Sequence, residues 1–317
     1  MPWPLIRLLP RQFHFKFVKW APFAAGVSAL AVAASVVCFV TLGLNLGIDF
    51  KGGILMEVAT SGPAPLAQLR TSLARHGAPD PQVQGFGSPS AAMVRFKPER
   101  GQDPVQTVNA MKQALAKDFP GIRFTREEAV GPKVSGELLQ KGFLALGVAL
   151  ALMLAYIWFR FQLQFGLGAV LAVLHDVLLT LGLLSALQIE FSMTSIAALL
   201  TVIGYSMNEK VITFDRLREN LRKYRKTPLR DVIDLSENER LSRTLITGAS
   251  ALLALAGALF FGGPVLFPLV FTMAFGILIG TYSSIYVALP LILVWGVRRG
   301  EDPKPKAAPG KAAPVRP

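Results

Sequence analysis

Few residues in this chain are able to do chemistry. Thr201, Tyr205, Glu209 and Thr213 follow one another at a spacing of four, so a helix would carry a carboxyl on a stripe of hydroxyls. Such a stripe suits the passage of protons along a hydrated crevice. A plainer reading fits the same spacing: Glu209 and Lys210 mark the end of a helix where it meets water. Arg243, with Thr247 and Ser250 on its helical face, supplies a cation that stays charged at any relevant pH. Beside a titratable carboxylate it makes a two-state switch, paired when the acid is ionised and released when it is protonated. By position alone it also reads as an arginine reaching from a helix flank to water. His175-Asp176 interrupts another apolar run near its middle, either as part of a proton route or as a hydrogen-bonded structural element.

Other chemistries lack their residues. With one cysteine, Cys38, and three histidines, there is no disulfide and no zinc or haem spacing. Neither a phosphate-cradling loop nor a Gly-x-Ser-x-Gly elbow is present. No enzymatic chemistry is therefore expected of the chain, with no metal, no cofactor and no ATP hydrolysis of its own.

The elements that must position these groups are read from composition. The 317 residues are 52% hydrophobic and 17% charged, well below the roughly 25% charge of soluble domains. A helix needs about 20 apolar residues to cross a bilayer. Charge-free or nearly charge-free runs occupy 20–48, 142–159, 161–188, 191–208 and 244–297. The last is long enough for two helices and is split by Gly262-Gly263-Pro264. The spacing predicts an α-helical integral membrane protein with six transmembrane helices. Domain boundaries follow as 1–19 (cytoplasmic tail), 20–46 (helix 1), 47–137 (extracytoplasmic domain), 138–297 (helices 2–6, with a basic cytoplasmic loop at 214–240) and 298–317 (disordered cytoplasmic tail).

The net charge of +13 is an orientation signal. Arg7, Arg11, Lys16 and Lys19 precede the first run, eight Lys and Arg fall in 214–240 and six in the C-terminal tail, whereas 188–192 and 262–268 hold none. Both termini and the middle loop are expected on the cytoplasmic side, and nucleic acid is not an expected partner. Around the basic stretch 215–226, Phe214, Leu217, Leu221 and Tyr224 share one face opposite arginines, which suggests a helix lying on the inner membrane surface. Segment 47–137 alternates as β-α-β-β-α-β, a small α+β ferredoxin-like pattern, with Asp103 as helix N-cap. Thr272, Gly276, Gly280, Ser284 and Ala288 form a ridge of small residues for close approach of another helix, of this chain or of a partner.

Seven phrases in order resemble the SecD/SecF family of protein-export membrane proteins, on its SecF side, within the resistance–nodulation–division superfamily. They are Gly47-Ile48-Asp49-Phe50-Lys51-Gly52-Gly53, Val130-Gly131-Pro132, Ser135-Gly136-Glu137-Leu138, Leu174-His175-Asp176-Val177, Ile203 through Glu209, Asp215 through Asn220, and Ser242-Arg243-Thr244. The resemblance covers nearly the whole chain apart from its tails. It implies one half of a twelve-helix assembly whose other half is SecD, at the bacterial inner membrane. It also implies use of the proton-motive force to assist late steps of Sec-dependent export. The implied partners are SecD, the SecYEG channel, YajC-type accessory proteins, membrane lipids and the unfolded secreted polypeptide. The family's proton-path carboxylate falls on Glu209 and its arginine on Arg243, with Asp176 a further candidate. Tyr205, Asn208, Thr213 and Thr247 would support them, and Gly47, Asp49, Gly52 and Gly53 carry the signature. The family's usual residue at the first place is aspartate, so this chain departs by one methylene. Two rival functions stay open: a half-size exporter of small lipophilic substrates, and a scaffold of the Sec channel without ion coupling.

Overall fold

The computed structural model describes residues 13–98, 102–160 and 163–297. Arg7, Arg11 and the C-terminal tail 298–317 lie outside the described residues. A long helix, α1 (Phe17–Leu42), leads through a short helix, α2 (Ile48–Lys51), into a sheet domain. That domain runs β1 (Gly53–Ala59), α3 (Leu66–Arg75), β2 (Gln82–Phe86), β3 (Ser88–Phe96), α4 (Pro104–Asp118) and β4 (Arg123–Val130). Its four strands are antiparallel, in the order β2-β3-β1-β4.

Each element of the domain has a local cause. Asp103 accepts the Val105 N–H at 2.8 Å and caps α4, with Pro104 at the first helical position. The β2–β3 turn is made at Gly87, whose φ is +74°. One face of the sheet (Ile54, Met56, Val58, Val94) packs against Leu69 and Leu73 of α3 and Met111 and Leu115 of α4. The two helices are tied at their ends by Asp118, which accepts from Ser72 and His76. Those hydrogen bonds, the Ser72 hydroxyl first, hold its carboxyl below the usual carboxylate range.

The rest of the chain is helical: α5 (Pro132–Arg160), α6 (Leu163–Ala186), α7 (Met193–Lys223), α8 (Leu229–Phe261) and α9 (Gly263–Ser283). A five-residue π-turn at Ser284–Ala288 follows α9 and leads into α10 (Leu289–Trp295). Five segments are long and apolar enough to cross a membrane: 17–42, 133–157, 164–186, 229–261 and 265–295. They present apolar residues outward, among them Leu30, Val40, Leu152, Phe159, Leu253 and Phe260. The molecule is a multi-pass helical membrane protein with a small sheet domain after its first helix.

α7 packs against α6, α8 and α9. Its 31 residues extend over about 46 Å, beyond a hydrocarbon core of about 30 Å. Asn208, Glu209 and Lys210 therefore do not mark its end. The amphipathic stretch after Phe214 also departs from expectation. It continues α7, and Phe214, Leu217 and Leu221 are buried against Phe165, Val232 and Ile233 instead of resting on a membrane surface. The Phe165 and Phe214 rings meet edge to face, 5.2 Å apart. The expected loop at 214–240 contracts to residues 224–228, because α8 starts at Leu229. Pro228, whose ring is suited to a helix start, precedes it.

The small-residue ridge faces α7 of the same chain. A Cβ on Gly276 would lie 2.2 Å from Val202 Cγ2, and one on Gly280 would lie 3.2 Å from Ser206 Cβ. Without a hydrophobic driving force between helices in lipid, such close contact is what holds them together. Gly276→Ala is expected to cost about 1–3 kcal/mol by overpacking. It should lower the temperature at which the detergent-solubilised protein stays monodisperse, and adding Val202→Ala should recover most of the loss.

Candidate functional site

Two buried charge clusters sit side by side where α6, α7, α8 and the π-turn meet. In the first, Asp176 on α6 is 0% exposed. Its Oδ2 accepts from Lys210 Nζ at 2.8 Å, from Ser283 Oγ at 2.7 Å and from Ser206 Oγ, and its Oδ1 bonds His175 Nδ1 at 3.0 Å. Lys210, also 0% exposed, donates further to Ser206 Oγ at 2.6 Å and to Ser283 Oγ at 2.9 Å. One carboxylate thus meets one ammonium, with each oxygen of Asp176 and each proton of the ammonium given a partner. That is the condition under which a buried pair is tolerated. Ser206 and Lys210 reach Asp176 together because they are four apart on α7.

The second cluster centres on Arg240 of α8. Its Nη1 donates to Glu209 Oε2 at 3.0 Å and to Thr244 Oγ1 at 2.7 Å, its Nε to Glu237 Oε1 at 2.8 Å and its Nη2 to Ser284 Oγ at 2.9 Å. Thr244 Oγ1 in turn donates to Glu209 Oε2 at 3.1 Å. Ser283 and Ser284, consecutive residues where α9 gives way to the π-turn, contact the first and second clusters respectively. A widened turn of this kind often lies at functional sites.

The expected site residues are therefore only partly brought together. Glu209 and Asp176 both occupy the buried centre, each with its own cation. Arg243, the expected partner of Glu209, lies on the exposed face of α8, and Glu209 bonds Arg240 instead. The physical reason is helical phase. Ile233, Glu237, Arg240, Thr244 and Gly248 lie on the buried face of α8, and a position three residues past Arg240 but one short of Thr244 points elsewhere. Thr247 and Asn208 are exposed. Thr213 is buried but donates to the Glu209 carbonyl at 2.8 Å, and Thr201 to the Ala197 carbonyl at 2.9 Å, so these two hydroxyls bond their own helix and form no continuous track. Tyr205 is half-buried and, with Thr201 and Val202, lines an apolar cavity of about 290 Å3 that also touches Ala251 of α8 and Ile277 of α9.

The glycine-rich segment builds a brace at the start of α7. Asp49 Oδ2 accepts the Met193 N–H at 2.8 Å, which satisfies a free donor of the first turn of α7 from a different element. Gly47 N–H bonds the Phe191 carbonyl, and Phe191 N–H the Asn45 carbonyl, each at 2.8 Å. Gly52 and Gly53 have φ of +68° and +129°. A Cβ on Gly53 would lie 2.9 Å from the Phe96 carbonyl oxygen, so only glycine fits at this entry to β1. Arg95 of β3 pairs with Glu190 of the α6–α7 connection. The sheet domain and the N-terminal end of α7 are joined through these contacts.

Residues 110–298 match the family model described as protein export membrane protein SecD/SecF, C-terminal, and residues 39–64 match the SecD/SecF GG motif. The chain belongs to the SecD/SecF family, as a SecF-type translocase subunit. It is 43% identical over 311 residues to the protein translocase subunit SecF of Cereibacter sphaeroides, covering 96% of each chain. To the SecF of Vibrio alginolyticus it is 40% identical over 297 residues, covering 93% of this chain and 94% of that one. Among solved structures it is similar to SecDF, a translocon-associated membrane protein, from Thermus thermophilus (33% identity, TM-score 0.81). A structure of SecDF in a super-membrane-facing form gives the same identity and a TM-score of 0.67. Both comparisons cover 92% of this chain and 40% of the longer SecDF chain. The GG motif of the SecD/SecF family thus coincides with the brace around Asp49, and the C-terminal family region contains both charge clusters.

Proposed function

We propose that this SecF-type chain is the proton-coupled half of a SecD–SecF assembly that assists late Sec-dependent export across the bacterial inner membrane. In this reading α7 also spans the membrane, as the fourth of six transmembrane helices. The β2-β3-β1-β4 sheet is a ferredoxin-like domain on the periplasmic side, and both termini are cytoplasmic. The observation that carries the reading is a carboxylate, Glu209, 1% exposed at the centre of the bundle and held by the guanidinium of Arg240. Protonation removes the attraction between them. α8 is then free to move against α7, and the brace at Asp49 and Arg95 passes the movement to the sheet domain, which holds or releases an emerging polypeptide. The two SecDF structures match this chain with different TM-scores over the same 92% of its length, which supports an architecture able to rearrange.

Arg240 and Arg243 lie about 60° apart around the helix axis. A modest turn of α8 after Glu209 is protonated therefore brings Arg243 towards the position that Arg240 leaves beside α7. Tyr205 and the cavity beside it form the periplasmic approach to Glu209, while Asp176–Lys210 anchors α6 to α7. Moving one charge across the membrane is worth about 2.3 kcal/mol per 100 mV, enough to bias a two-state element substantially.

Affinity purification of the chain in mild detergent, with mass spectrometry, is expected to recover a SecD-like protein together with SecYEG and YajC-type proteins. Recovery of the chain alone, or with an exporter's outer-membrane components, would contradict the assembly.

A further inference from the structure

The two clusters differ in their charge balance. Asp176 is matched one to one by Lys210, and His175 belongs to that side through Asp176 Oδ1. Arg240 is a single cation facing two carboxyls, Glu209 from α7 and Glu237 from its own helix. Glu237 is 0% exposed. Its Oε1 takes the Arg240 Nε–H, while its Oε2 is buried with no hydrogen-bond partner among the described residues. An ionised carboxylate leaves that bare oxygen with a share of negative charge in a dry site, the most costly way to bury a polar atom. The surroundings add to the cost. The other charged groups acting on Glu237 are the carboxyls of Glu209 on α7 and Asp234 one turn back on α8, and from the π-turn Tyr286 approaches it. Asp234 already accepts the Val18 N–H at the start of α1, 2.9 Å away, where a negative charge is favoured.

We infer that Glu237 is a proton-holding residue: in this state it is the neutral acid, and Glu209 and Glu237 form a dyad that shares Arg240 and one proton. This rests on the proton-coupled reading and deepens it. When Glu209 is ionised and bonded to Arg240, the proton sits on Glu237 Oε2. When Glu209 takes a proton from the periplasmic side, its hold on Arg240 is lost, the guanidinium turns wholly to Glu237, and Glu237 releases its proton inward. One O–H bond forms on Glu209 and one breaks on Glu237, so the charge of the cluster stays constant through the exchange. Arginine does not itself carry the proton, because it keeps its own; it sets which carboxyl is ionised.

The test is infrared spectroscopy of the assembled complex at neutral pH, read in the C=O stretch of protonated carboxyls. A band is expected in the wild type and in Glu209→Gln, and its loss is expected in Glu237→Gln. An undiminished band in Glu237→Gln, or no band in the wild type, overturns the assignment. Should Glu237→Gln fail to assemble, Glu237→Asp keeps an acid at the site and is expected to shift the band; an unshifted band overturns the assignment equally. Proton-driven export in membrane vesicles separates the two levels of the account. Loss of that component in both Glu209→Gln and Glu237→Gln supports the dyad. Loss in Glu209→Gln alone leaves the coupled function standing and removes Glu237 from it. Retention in Glu209→Gln removes the underlying function.

Discussion

Glu209→Gln is expected to remove the proton-driven part of export while leaving the complex assembled. Glutamine matches glutamate in volume and keeps an acceptor for Arg240 Nη1 and Thr244 Oγ1, the two donors that Glu209 Oε2 serves. What it lacks is a second charge state, so the membrane potential has nothing to act on at this position. One charge across 100 mV is worth about 2.3 kcal/mol, so the proton-driven rate should fall about fiftyfold. The measurement is processing of a secreted chain in inverted membrane vesicles, with and without an uncoupler. Glu209→Asp keeps a titratable carboxyl, one methylene shorter, and should keep uncoupler-sensitive export. Undiminished export by the glutamine variant would return the chain to the role of a scaffold.

The second large effect is structural. Lys210→Met removes the ammonium from the fully buried Asp176, leaving it only Ser206, Ser283 and His175 as partners. Breaking a buried pair from one side costs about 3–5 kcal/mol, whereas replacing both partners by apolar residues of similar volume is often neutral or stabilising. Lys210→Met alone should therefore collapse the yield of folded protein, and Asp176→Leu combined with Lys210→Met should restore it. Thermal unfolding in detergent reads both. The double variant also separates the two clusters. If Asp176–Lys210 is an anchor and not part of the proton route, uncoupler-sensitive export survives in the double variant. If export is lost while folding is restored, Asp176 belongs to the route.

The sheet domain was legible because its signals are local. The strand composition of Gly53–Ala59, the cap at Asp103 and the turn at Gly87 each act within a few residues. Glu209 and Asp176 were legible as charges placed within the bundle because a carboxyl in an apolar run is costly wherever it lies. Their partners were not. Lys210 follows Glu209 directly and carries the mark of a helix end, and only the packing of α6 against α7 turns it towards Asp176. Arg240 and Glu237 fall in a stretch so dense in Lys and Arg that it resembles a loop. The contrary signal was present in the spacing of Ile233, Glu237, Arg240, Thr244 and Gly248, which keeps one helical face from the supposed loop into the apolar run. Arg243 lies in the matching family phrase but off that face, so likeness to the family marked a residue whose side chain points outward in this state.

In the proposed cycle the charge state of Glu209 decides whether α7 and α8 are held together through Arg240. Cryo-electron microscopy of the complex with its SecD partner at two pH values tests it most directly. At high pH the Glu209 Oε2 to Arg240 Nη1 contact should be found near its 3.0 Å. At low pH it should be broken, with α8 displaced relative to α7 and the sheet domain tilted. The same contact at both pH values, with α7 and α8 unmoved, would contradict the account.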